Sequence, residues 1–408
     1  MTTTTATIEA PTIQAEVAAI LEAPVITFDV VVLAENLLRA LATTKPVLTK
    51  RKNWHPMADK VLVYTDRGRL ALRATDFDTE LTTIIGAMIH TEGSFAVEHA
   101  ALTAALTKGM TAKLAVTATG KSRTLTVECG RAVTHIPVMD GDDFPISELA
   151  KPHSKPVSAF TLDPHAFGRA LAYTLPCVAA DDSRPALTGV SFDATDGTIA
   201  LAAADGFRLA VAHVTPERVT GGASIIIPAK SLKILAKFLG PKGSNEPVDV
   251  RVYANIVHFQ LTDIDIMARL IQGTYPVYTG LVPIDENTPT IARVNTKDTL
   301  DAVKACAAVA CHGSGIIRLN AAGRELTFSA TDGETRTVER TVELSEWCGV
   351  PGKIAFNFRY LQDALAVAGE TCTIRLGSPS QQARIDPCGT DRTGMTGSTT
   401  VMPMFVQW

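Results

Sequence analysis

The chain is expected to be an α+β protein: three tandem copies of one domain, each with two helices packed on antiparallel sheets. Two observations predict this. A strand–turn–strand signature ending in Asp recurs at a domain-sized interval, and one order of elements recurs around it. The fullest copy, residues 183–211, reads SRPALTGVSFDATDGTIALAAADGFRLAV. Asp196-Gly197 between two alternating apolar runs signals a tight hairpin, and Asp205-Gly206 ends the second run with another reversal. Weaker copies lie at 61–81 (VLVYTDRGRLALRATDFDTEL) and 316–338 (IIRLNAAGRELTFSATDGETRTV). Asp76, Asp205 and Asp332 align, 129 and then 127 residues apart. That period is too long for a solenoid unit and matches a whole domain.

Residues 1–25 are rich in Thr and Ala, with Glu9, Glu16 and Glu22 as their only charges. They read as a disordered extension. The first domain, 26–152, opens with the strand ITFDVVV. The helix AENLLRALATT follows, with Leu37, Leu38 and Leu41 on one face. After the hairpin copy, GSFAVEHAALTAALTKGM reads as a strand into a second helix stopped by Gly109. KLAVTATGKSRTLTVECGRAVTHIPV then alternates as a meander with turns at Gly120 and Gly130.

The second domain, 153–284, repeats this order. VSAFTLDPHAFGRALAYTL is strand then helix, the central hairpin follows, and ASIIIPAKSLKILAKFLG is strand then helix. The third, 285–408, does so again from TIARVNTKDTLDAVKACAAV through KIAFNFRYLQDALAVAG to a final strand, STTVMPMFV. Leu102, Leu232 and Leu361 hold one place in the three second helices, and Asp143-Phe144-Pro145 and Thr274-Tyr275-Pro276 close the first two copies.

Composition narrows the function. Hydrophobic residues make up 46% and charged residues 20% of the 408, and the net charge is −4. This is ordinary globular composition, without a coat of positive charge, although one basic face remains compatible with it. No run approaches a membrane span, and the N-terminus lacks a signal peptide's pattern, so a cytoplasmic location is expected. Cys129, Cys177, Cys306, Cys311, Cys348, Cys372 and Cys388 form no Cys-x-x-Cys pair. Cys306, Cys311 and His312 come nearest to a metal cluster, and buried apolar cysteines are the better reading. GPKGSN at 240–245 lacks phosphate-loop spacing, and HGSG at 312–315 is no nucleophile elbow. Neither catalytic residues nor a metal or other cofactor is expected.

The helices carry the stronger signal. Lys230, Lys233 and Lys237 fall at i, i+3 and i+7, on one face of a helix. Arg39, Lys108, Arg169, Lys304 and Arg359 add a basic bias to the others, while Asp140, Asp142, Asp143, Asp193, Asp196, Glu343 and Glu346 concentrate in turns and strands. A basic helical lining can follow a phosphate backbone without reading bases.

Taken in order, these pieces resemble the bacterial sliding clamp family, the β subunit of DNA polymerase III, from about Ile26 to Val406. The resemblance rests on Arg184-Pro185 with Leu187-Thr188-Gly189-Val190, Asp205-Gly206-Phe207-Arg208-Leu209, Arg269-Leu270-Ile271-Gln272-Gly273-Thr274-Tyr275-Pro276, Phe356-Asn357 with Arg359-Tyr360-Leu361, and Val401-Met402-Pro403-Met404. It implies that the repeated unit is a DNA-clamp domain and that two chains form a head-to-tail ring around duplex DNA. It also implies a processivity factor that tethers the polymerase III catalytic subunit, the clamp loader and other proteins bearing a clamp-binding motif. Their peptides would enter a pocket between the second and third domains. Carried over by position, its wall is Leu187, Ala204, Gly206, Phe207, Arg208, Leu209, Pro276, Leu281, Thr400, Val401, Met402, Pro403 and Met404. Lys52 and Arg184 match basic positions near the family's DNA-binding loops, and Lys230, Lys233 and Lys237 would join them facing DNA.

Several positions depart from the family pattern. Phe207 stands where His is common, Gly280 where a basic residue is common, and Asn53 breaks the run after Lys52. The ring-interface helix ends in small residues at Val309 and Ala310, and residues 405–408 run past the usual end, with Trp408 expected at the pocket mouth. These departures motivate two alternatives: a divergent second clamp of phage, plasmid or inhibitor-resistant type, or a decoy that holds clamp partners without encircling DNA.

Overall fold

The computed structural model describes residues 24–48, 55–57, 59–145, 155–195, 197–240, 245–333, 336–388 and 395–407. It divides into two compact units. One takes residues up to 153 with 262–267, the other 154–261 with 268–408.

In the first unit an antiparallel sheet runs in the order Met88–Thr91, Val25–Leu33, Thr111–Thr119, Ser122–Cys129, Ala132–Pro137. A second set of strands runs Met139–Asp140, Ser94–Glu98, Lys60–Asp66, Arg69–Thr75, Thr79–Ile85. Two helices pack on them. Helix α1, Ala34–Thr44, buries Leu37, Ala40 and Leu41, with Leu38 half-buried at the edge of the same face. Helix α2, His99–Ala104, buries Leu102. It is shorter than the sequence suggests. The chain leaves the helix after Ala104, so that Ala105 and Leu106 enter the core and the Thr107 N–H reaches Cys129 Sγ at 3.3 Å. Phe28 and Phe95 meet edge to face at the centre of this core, 4.9 Å apart.

The second unit holds two copies of the repeat. Helix α3, Pro164–Thr174, starts where Asp163 accepts the Ala166 N–H at 2.7 Å, and Pro164 occupies the first turn, where no N–H is needed. Helix α4, Ala229–Leu235, tightens into a 3₁₀ turn at Ala236–Phe238. Helix α5, Thr296–Ala310, is capped by Asn295, and helix α6, Phe358–Val367, by Asn357. Leu232 and Leu361 are buried like Leu102. Truncating any of these three to Ala would cost about 2–5 kcal/mol.

A nine-stranded sheet joins the two copies. Its order is Ala223–Pro228, Gly189–Thr195, Thr198–Ala204, Arg208–Val214, Thr396–Val401, Ala383–Pro387, Thr371–Leu376, Thr290–Asn295, Glu346–Cys348. The seam is the antiparallel pair Arg208–Val214 with Thr396–Val401, in register from Arg208 opposite Val401 to His213 opposite Thr396. Gly189 sits where a Cβ would lie 2.7 Å from Ile226 Cγ2 and from the Ile227 carbonyl oxygen; its hydrogen lets the Ala223–Pro228 strand lie close. The last strand stops at Val401, earlier than the apolar pattern suggests. Pro403 has no N–H to continue a ladder. The Met402 N–H instead donates to the Phe207 carbonyl at 2.8 Å, and the Met404 N–H to the Ala355 carbonyl at 2.7 Å.

The three aligned aspartates do one job. Asp76 Oδ1 accepts the N–H groups of Asp78 and Thr79, Asp205 Oδ1 those of Phe207 and Arg208, and Asp332 Oδ1 that of Arg336. Each carboxylate closes a turn between two strands, which is why Asp recurs there. The residue that follows it takes positive φ in all three: Gly206 at 94°, Gly333 at 97° and Phe77 at 72°. The hairpin residue Asp196 lies outside the described residues.

Candidate functional site

The turn Asp205 to Arg208 meets the last strand and the 275–284 segment, and the pocket residues expected from the sequence gather around it. Leu209, Val401 and Thr400 are buried in the sheet, and Leu187 is buried in the 3₁₀ turn Pro185–Thr188. Above them Ala204 is half-buried. The Ala204 N–H donates to Tyr275 Oη at 2.9 Å, and burial pushes the Tyr275 phenol up to about 12. Ala202, Leu209 and Val211 form a small apolar floor on which Tyr278 and Val282 pack. Around it stand side chains open to solvent: Phe207 at 57% exposure, Leu281 at 51% and Met402 at 38%. Pro276 is exposed, and Pro403 and Met404 are half-buried. Apolar groups this exposed beside an apolar cluster suit a short peptide with bulky apolar anchors.

Arg208 is the hub. Its guanidinium donates to Asp205 Oδ2 at 3.0 Å, to Asp363 Oδ2 at 2.5 Å and to the Pro176 carbonyl. It also lies 4.5 Å from the Tyr360 ring centroid, a favourable cation–π distance. Burial works against its charge, but the hydrogen bond to Asp363 and the Asp205 carboxylate outweigh it, so its pKa lies above the ordinary value. Phe207 stacks on the same Tyr360 ring, centroids 6.4 Å apart at 21°. Burial pushes the adjacent Cys177 thiol up to about 12, so it stays a neutral packing group. A groove of about 810 Å³ borders Arg208 and carries Lys230 and Lys233 on its wall.

The basic residues singled out from the sequence separate. Lys230, Lys233 and Lys237 are all exposed, but Lys237 stands on the 3₁₀ turn, beyond the α-helix proper. Arg184 sits at the rim of the apolar cleft: its Nη2 donates to the Asp205 carbonyl at 3.1 Å. Lys52 and Trp408 lie outside the described residues. The basic bias of the helices is real but incomplete. Lys108 pairs with Glu35 at 3.2 Å and Lys304 with Asp301 at 3.8 Å, so acids share those surfaces.

Sequence reasoning missed Tyr278, Val282, Tyr360 and Asp363. The first two were signalled by an aromatic and apolar run inside a proline-containing linker. Asp363 gave no signal, because its partner Arg208 is 155 residues away. Among the described residues no cluster of three or more His, Cys, Asp and Glu side chains could hold a metal ion, and no helix is long and apolar enough to cross a membrane.

Comparison with known proteins agrees with this architecture. Residues 28–149 match the family model of the DNA polymerase III beta subunit, N-terminal domain. Residues 161–277 match its central domain and 281–404 its C-terminal domain. The beta sliding clamp of Caulobacter vibrioides is 25% identical over 362 residues, covering 86% of this chain and 94% of that protein. That of Staphylococcus epidermidis is 29% identical over 240 residues, covering 59% of this chain and 62% of that protein. The crystal structure of the Bacillus subtilis clamp superimposes with a TM-score of 0.82 at 19% identity, over 93% of this chain and all of that one. The Pseudomonas aeruginosa clamp bound to griselimycin gives 0.81 at 21%, with the same coverage. With all three domain models matched in order across most of its length, the chain belongs to the bacterial DNA polymerase III beta subunit family, the beta sliding clamps.

Proposed function

We propose that this chain is a DNA sliding clamp that works by binding, not by catalysis. Two copies would close head to tail around duplex DNA and tether replication and repair proteins in the cytoplasm, including a polymerase catalytic subunit and the clamp loader, through the cleft at Asp205 to Arg208. The observation that carries this reading is the cleft itself: an apolar floor of Ala202, Leu209 and Val211, rimmed by exposed Phe207, Leu281 and Met402. Two edge strands fit the ring. Ala132–Pro137 ends one sheet and Thr337–Glu343 ends another, each with one side unpaired among the described residues. Val133 on the first is 58% exposed. Open edges present unpaired N–H and C=O groups that can pair with another chain, and one edge pairing with the other between copies would be a head-to-tail contact, as the proposed ring requires.

The griselimycin complex of the Pseudomonas clamp supports a ligand-binding family fold. The direct test is fluorescence anisotropy with a fluorescein-labelled peptide ending in Leu-Phe. Saturable binding is expected, weakened about tenfold or more by Met402→Ala or Leu281→Ala, since buried apolar anchors dominate such contacts. Binding no tighter than that of the scrambled peptide would reject the pocket.

A further inference from the structure

The wall of the cleft that carries Leu281 is not part of any sheet. Residues 275–285 form a strap across the face of the nine-stranded sheet. At one end Tyr275 Oη holds the Ala204 N–H, and Tyr275 meets Tyr278 edge to face at 6.2 Å. In the middle Tyr278 and Val282 pack on the apolar floor. Between them the strap is open to solvent at Gly280, where a Cβ would meet nothing within 4 Å. A cavity of about 220 Å³ lies along it, bordered by residues 279–284 with Gln381 and Gln382. Leu281 itself is 51% exposed, so its own side chain contributes little packing to hold it in place.

The other end is held by two arginines, of which Arg384 makes the larger share of contacts and alone reaches the backbone of the strap. Arg384 Nη1 donates to the Pro283 carbonyl at 2.6 Å, and Nη2 pairs with Asp285 Oδ1 at 2.9 Å. Its Nε is held by Asp386 Oδ2 at 2.8 Å. Asp386 also takes Arg375 Nε at 3.1 Å, and Arg375 Nη1 lies 3.4 Å from Asp285. Two arginines and two aspartates thus balance at the end of the strap. The Arg384 side chain is only 17% exposed. A planar guanidinium can serve a carbonyl and a carboxylate of the strap while a third bond anchors it to its own strand; an ammonium lacks that fork. The register ties this grip to the cleft. Arg384 lies opposite Thr400, and Thr400 lies opposite Leu209, so Arg384 is two strands, roughly 10 Å, from the floor.

We propose that Arg384 is a positioning residue for the partner pocket. It latches the strap 275–285 to the sheet through Pro283 and Asp285, and so sets the distance between Leu281 and the floor at Leu209. The consequence for binding rests on the pocket reading above; the latch itself does not.

The test uses the full chain, two readouts and three variants. With the labelled Leu-Phe peptide, Arg384→Gln is expected to weaken binding about tenfold and Asp285→Asn about threefold, mainly through faster dissociation. Asp285→Glu, which keeps the carboxylate, should stay within about twofold of the parent. In hydrogen exchange, the Leu281 amide, which donates to the Tyr278 carbonyl, should exchange about tenfold faster in Arg384→Gln, while Ala210 in the central strand should not change. Parent-like peptide binding with parent-like exchange at Leu281 overturns the proposal. Equal acceleration at Leu281 and Ala210 also overturns it, since Arg384 would then be holding the sheet. If the parent fails to bind the peptide, the pocket reading falls, and exchange at Leu281 alone decides the latch.

Discussion

Gly206 shows how one residue serves both turn and site. Its φ of 94° lies where an L side chain is strained, and a Cβ there would come within 3.2 Å of the Arg184 guanidinium. The aligned Phe77 in the first unit adopts φ 72°, so the turn survives a side chain at this place, at a cost. Gly206→Ala is therefore expected to fold, to lose about 1–2 kcal/mol of stability and to push Arg184 off the Asp205 carbonyl. Denaturant titration checks the first effect, and peptide anisotropy checks whether the rim has moved. An unchanged midpoint would mean that the turn relaxes without strain. The Asp of each turn was legible in the sequence because its role is local, a carboxylate capping N–H groups a few residues on. The partners of Arg208 were not, because Asp363, Tyr360 and the Pro176 carbonyl reach it only through the tertiary fold.

Most elements followed from pattern, and the misses have physical causes. Helix α1 sits where its apolar period puts it, and helices α3, α5 and α6 start where Asp163, Asn295 and Asn357 cap them. Helix α2 ends early because its last apolar residues gain more from the core than from another turn, and the final strand ends early because Pro403 cannot continue a ladder. Helix α4 exposes Lys230 and Lys233, and Lys237 stands on the following 3₁₀ turn; under the proposed function these three lysines would face DNA. Reversing all three to Glu is expected to weaken retention on DNA and to lower the slope of log K against log salt by up to about 2–3, near 0.9 for each phosphate that is no longer neutralised. Filter binding or anisotropy across a salt series measures this. An unchanged slope would remove these lysines from the DNA-facing surface.

For the whole molecule, the triplication was visible because each copy repeats its turn aspartate and its helix leucine at one period. The joining of two copies into one sheet was invisible. Two strands that pair across a large sequence separation carry the same alternating pattern as any other strands, and nothing local names the partner. The proposed ring predicts a mass near twice 43.3 kDa by light scattering at micromolar concentration; a single-chain mass throughout would exclude a stable two-chain ring. The seam between the copies also bears on how the protein is made. Strand Arg208–Val214 leaves the ribosome about 180 residues before its neighbour Thr396–Val401. At about 5–20 residues per second that is an interval of roughly 10–35 s. Throughout it the earlier strand shows a bare edge, and the cleft lacks the wall that Met402 supplies. Under the proposed function a nascent chain would recruit partners only after Met402 has emerged, and one truncated before residue 396 would expose an unpaired, aggregation-prone strand where the cleft should form.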